Sequence, residues 1–80
     1  MYEGCIPLNL LPIGDMGRVR DLTIGGRIRR RMLDLGLIKG TEVQAVTKSP
    51  SGDPVAYFFR GVVIALRSEE ASAVIVEKLK

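Results

Sequence analysis

GGRIRRRMLDLGLIKGTEV, residues 25–43, decides the fold. Ile28, Met32 and Leu35 stand at i, i+4 and i+7, which puts them on one stripe of a helix over residues 26–35. Arg27, Arg30, Arg31 and Asp34 fall on the other side, with Arg30–Asp34 and Arg31–Asp34 both at pairing distance. Gly36 then ends the helix, because a left-handed turn costs glycine almost nothing. Leu37 is placed to fold back on Met32. Lys39-Gly40 turns the chain into a strand over residues 41–48, with Val43 and Ala45 on one face.

Outward from this block the chain reads as β-structure. Residues 17–24 form a strand whose alternation is broken at Asp21 and Leu22, the mark of a bulge. Residues 49–54, SPSGDP, are a loop by composition. The apolar segments 55–59 and 62–66 are separated only by Arg60-Gly61, so they form a tight hairpin. Ser68 is positioned to cap a single turn carrying Glu69 and Glu70, whose charges suit a helical N-terminus. A last strand follows over residues 73–79. Near the start, Pro7, Pro12 and Gly14 exclude a regular helix, and Leu8, Leu10 and Leu11 are expected to cover one end of the core. The expected fold is mainly β with one inserted helix: a small, closed SH3-like β-barrel of about five strands, residues 1–80 forming a single domain. Closure would also keep the apolar strands from standing as open edges.

Composition narrows the function classes. A hydrophobic share of 46% is normal for a folded globule. Its only aromatics are Tyr2, Tyr57, Phe58 and Phe59, so the core is built from Val, Ile, Leu and Met. Twelve basic residues against nine acidic ones leave a net charge of +3. The excess is local, with Arg18, Arg20, Arg27, Arg29, Arg30 and Arg31 diluted by Asp21 and Asp34. Nucleic-acid modules interleave such residues with stacking aromatics or carry much more charge. No aromatic lies between Arg18 and Arg31, so a solvated or protein-binding face is expected, without specific nucleic-acid binding. The single Cys5 excludes an internal disulfide and fits a reducing compartment. No signal-peptide pattern is evident, and the apolar run 62–66 is too short to cross a bilayer. The expected location is cytoplasmic, with no membrane insertion.

Catalytic chemistry is not expected. There is no histidine, so the commonest acid–base catalyst and metal ligand is missing. Cys5 has nothing to activate it and is expected in a flexible terminus. No CxxC, HExxH or phosphate loop occurs, and Gly25-Gly26 reads as a strand-to-helix bend rather than an anion cradle. Asp15, Asp21, Asp53, Glu69 and Glu70 lack ligand spacing, so a tight metal site is not expected; weak surface binding stays open.

The block GGRIRRRMLDLGLIKGTEV, the following DPVAYFFRGVVIALRSEEASAVIV and the early LNLLPIGDMGRV together resemble the ferrous iron transport protein A (FeoA) family, over roughly residues 7–79. The resemblance implies an SH3-like barrel that assists ferrous iron uptake without being an enzyme. It implies a partner, the membrane permease FeoB with its cytosolic GTP-binding part. No cofactor is implied beyond weak divalent-metal binding. The same barrel occurs in iron-dependent repressors of the diphtheria toxin repressor type. A regulatory domain of that kind, or a weak transition-metal-binding module, is therefore the alternative. The expected contact residues are Arg27, Arg30 and Arg31 on the helix, whose planar guanidinium groups suit carboxylates or phosphates. Lys48 and Asp53 on the loop between strands form the second candidate surface.

Overall fold

Short apolar segments punctuated by glycine arrange themselves as antiparallel strands. The computed structural model describes residues 4–79. In chain order these are β1 (Cys5–Pro7), a 3₁₀ turn (Leu8–Leu10), β2 (Met16–Leu22), α1 (Gly26–Leu35), β3 (Glu42–Lys48), β4 (Val55–Phe59), β5 (Val62–Leu66), α2 (Ser68–Ala71) and β6 (Val74–Leu79). The six strands form one antiparallel sheet in the order β1-β6-β2-β3-β4-β5. The fold is an SH3-like barrel with α1 inserted between β2 and β3.

α1 forms and stops where its sequence dictates. Met32 is fully buried, while Ile28 and Leu35 pack half-buried against the core. At its end the Gly36 N–H donates to the Leu33 carbonyl and the Leu37 N–H to the Met32 carbonyl, both at 3.0 Å. This pair of bonds is the Schellman arrangement. Gly36 supplies the positive φ it requires, +102°. Leu37 is itself fully buried.

Strand periodicity sets the rest of the core. Val19, Val43, Tyr57, Phe59, Leu66, Val74 and Val76 point inward beside Met32, Leu37 and Leu8. The expected bulge in β2 is present, as a register shift between Val19 and Asp21 against β6. A second shift, between Ala45 and Thr47 against β4, leaves Val46 exposed. In the β4–β5 hairpin both central residues have positive φ, Arg60 at +53° and Gly61 at +83°. Such turns match the twist of the strands they join.

Three expectations are corrected here. Cys5 does not lie in a loose terminus; it belongs to β1, where Cys5, Ile6 and Pro7 pair with Glu77, Val76 and Ile75 of β6. Pro7 is tolerated because a strand at the end of a sheet needs ladder bonds on one side only. With β1 the sheet counts six strands, and among the described residues its hydrogen-bonded order runs from β1 to β5. Leu8 and Leu11 are buried as expected, but Leu10 is 61% exposed. Ser68 does not cap α2: its own backbone N–H donates to Asp53 Oδ1 at 2.8 Å, and the cap is the Arg67 N–H donating to Glu70 Oε1 at 3.0 Å.

Candidate functional site

With its apolar stripe turned inward, α1 leaves its arginines in solvent. Arg27, Arg29, Arg30 and Arg31 are all exposed. Two have partners, and neither partner is Asp34. The Arg29 guanidinium donates to the Leu22 carbonyl at 3.1 Å, across the bend that leads into the helix. Arg31 Nε meets Glu70 Oε2 of α2 at 2.7 Å. The Glu70 side chain is only 17% exposed, so a charge-assisted bond there gains from partial desolvation. Arg27 and Arg30 have no ion-pair partner among the described residues.

Two depressions flank the helix. One, of about 460 Å³, runs between α1 and α2 and is lined by Arg27, Ile28, Arg31, Asp34, Leu35 and Glu70. The other, of about 340 Å³, is lined by Gly26, Arg29, Arg30, Leu33 and Asp34. Leu33 is itself partly exposed beside the cations. Together they make a basic face with apolar relief, which can hold carboxylates or phosphates while a neighbouring aliphatic group packs.

The loop surface is built differently. Lys48 closes β3, is exposed and has no ion-pair partner among the described residues. Asp53 is half-buried and turned inward, its Oδ1 taking the Ser68 N–H and its Oδ2 facing Arg67 at 3.4 Å. Asp53 and Glu70 thus tie α2 to the loop on one side and to α1 on the other. Burial, and secondarily the Asp53 carboxylate, push the Tyr57 phenol up to about 12. Its hydroxyl donates to the Leu8 carbonyl at 3.4 Å.

Local spacing reveals none of the contacts made by Glu70, Asp53 or Arg29, because their partners come from other elements. Glu69-Glu70 after Ser68 was the one visible signal, and it pointed to a helix terminus rather than to Arg31. Among the described residues no group of three His, Cys, Asp or Glu side chains is placed to hold a metal ion. No helix there is long and apolar enough to cross a membrane.

The FeoA domain model matches residues 6–78. No curated protein sequence matches the chain. Among solved structures, an FeoA-like protein from Clostridium acetobutylicum is 35% identical with a TM-score of 0.90, over 96% of this chain and 90% of that one. FeoA of Stenotrophomonas maltophilia, solved in complex with zinc and described as an SH3 domain protein, is 31% identical with a TM-score of 0.80, over 91% and 94%. A manganese-dependent transcriptional repressor matches at a TM-score of 0.83 and 17% identity, over 94% of this chain and 42% of the repressor, a likeness of fold alone. With a family match across nearly its whole length and the same barrel beneath it, the chain belongs to the FeoA family.

Proposed function

We propose that this chain is a non-enzymatic, cytoplasmic accessory protein of ferrous iron uptake that acts by direct contact with the GTP-binding permease FeoB. Membership of the FeoA family implies a role in ferrous iron transport and supports the first half of this reading. The observation that carries the second half is the two guanidinium groups of Arg27 and Arg30, on an exposed helix face and without an ion-pair partner among the described residues. Arg31 joins them when it is released from Glu70. Lys48 and Asp53 form a secondary contact, with Lys48 supplying charge and Asp53 fixing the loop. The likeness to manganese-dependent repressors is one of fold, so the regulatory alternative has no observation of its own.

The test is association of the chain with the cytosolic GTP-binding part of the permease. Among the described residues Arg27→Glu with Arg30→Glu breaks no ion pair, so the barrel should stay folded. Binding should weaken mainly through a slower on-rate, because exposed charge steers encounter. Added salt should mimic the substitution, since such charges are screened within about 8–10 Å near physiological ionic strength. If the double reversal binds as well as the parent while Lys48→Glu abolishes binding, the loop is the contact surface and the helix is not. A sequence-selective nanomolar complex with duplex DNA would overturn the transport reading altogether.

A further inference from the structure

Away from α1, a partly enclosed cleft of about 250 Å³ opens between the segment after β1 and the β3–β4 loop. Leu11, Tyr57 and Leu66, all buried, contribute to its lining, with Ile13, Asn9 and Lys48 beside them. Among the described residues Lys48 is the only charged one that lines it. Two features of this cleft have no structural use. Asn9 Oδ1 is buried and has no hydrogen-bond partner among the described residues. Leu10 and Ile13, which line the same cleft, are 61% and 42% exposed.

An orphaned buried acceptor is destabilising, and such groups ordinarily find a partner. Asn9 is only half-buried as a residue and lines the cleft. The cleft is smaller than the roughly 300–1,000 Å³ of whole small-molecule sites, but it suits one or two aliphatic side chains. We propose that this cleft is a docking site for an extended, acidic–aliphatic peptide segment of a partner protein. In that complex an aliphatic side chain packs on Leu11, Ile13 and Leu66. The Asn9 amide turns toward the cleft in the complex, a backbone N–H of the peptide donates to its Oδ1, and a flanking carboxylate meets Lys48. The charge complementarity is one-sided, because no acidic residue lines the cleft among the described residues. A fatty acid would satisfy Lys48 and the apolar wall, yet it has no N–H for Asn9. The site is independent of the α1 face and stands or falls separately from it.

The experiment is an amide NMR titration of the whole chain with three probes: acetyl-Glu-Leu-Ile-Glu-amide, acetyl-Lys-Leu-Ile-Lys-amide and hexanoate. The acidic peptide should shift amides in residues 9–13, in residues 48–52 and at Leu66, leaving residues 27–34 unmoved. Lys48→Glu should weaken the acidic peptide about fivefold and favour the basic one, as expected when an exposed ion pair becomes a repulsion. Asn9→Ala should weaken it about 2- to 10-fold, the worth of one neutral hydrogen bond, without lowering the melting temperature. Asn9→Ser should do the same if the alanine variant folds poorly. The proposal is overturned if no probe shifts the cleft, if both peptides bind equally, if hexanoate binds as well as the acidic peptide, or if the shifts fall on α1.

Discussion

Gly36→Ala should destabilise this protein by about 1–3 kcal/mol, and the structure separates that figure into parts. Gly36 has φ +102°, and an L-residue held in the left-handed region costs about 1–2 kcal/mol. Alanine recovers about 0.4–1 kcal/mol by restricting the unfolded chain. A Cβ at this position would lie 2.6 Å from Arg60 Cδ and 3.1 Å from Arg60 Nε. The arginine stem must therefore swing away, and an off-rotamer displacement costs about 0.5–1.5 kcal/mol. A domain of this size is stable by about 5 kcal/mol, so the loss is a large share. Urea unfolding gives the measurement, and thermal melting should fall by about 4–8 °C for each kcal/mol. Arg60→Ala supplies the control, because it removes the stem but keeps the turn. In that background Gly36→Ala should cost less by about 0.5–1.5 kcal/mol, the share belonging to the contact. A Gly36→Ala variant as stable as the parent would refute the backbone part. Equal costs in both backgrounds would refute the steric part.

The other predictions concern the core. Met32→Ala should cost about 2–5 kcal/mol, as truncation of fully buried side chains does, and Leu35→Ala less, because Leu35 is only half-buried; the order of their urea midpoints decides it. Tyr57 governs the alkaline limit. With its folded pKa raised to about 12 from the ordinary 10.0, both states hold the proton below pH 10. Between pH 10 and about 12 only the unfolded chain releases it, so stability falls as pH rises through that window, by about 2–3 kcal/mol in all. In Tyr57→Phe this part of the alkaline loss should vanish, and tyrosinate absorbance in a Tyr2→Phe background should follow the late titration directly.

How much the sequence disclosed depends on the range of the interaction. Ile28, Met32 and Leu35, Gly36 and Leu37 all report on neighbours within one or two helical turns, and α1 emerged with its ends in place. The hairpin around Arg60-Gly61 and the bulge near Asp21 are likewise local, and both were legible. β1 was not, because three residues containing a proline carry no periodicity of their own; only β6 makes them a strand. Arginine exposure on α1 was legible for the same reason as the stripe. Arginine pairing was not: Asp34 is close along the helix, yet Glu70, brought over by α2, takes Arg31. Asp53 reads as a loop charge in sequence and serves as an anchor for Ser68 in space. The cleft around Asn9 is assembled from segments far apart in the chain, so no spacing announces it.

The β5 end of the sheet bears on how this protein behaves in solution. β5 is the last strand of the ladder, and its Val62 and Val63 are 50% and 58% exposed. Arg60 precedes the strand and Arg67 follows it. If two such strands met antiparallel in full overlap, Arg67 of each would stand against residue 61 of the other, beside its Arg60. Cations at the ends of an exposed edge oppose that encounter. The reach of that repulsion, carried chiefly by Arg60 because Arg67 faces Asp53, shrinks from about 30 Å in dilute buffer to about 3 Å in molar salt. Arg60 holds a left-handed turn residue's conformation, lays its stem over Gly36 and places a charge at this edge, so Arg60→Ala should lower solubility in dilute buffer even where the turn is kept.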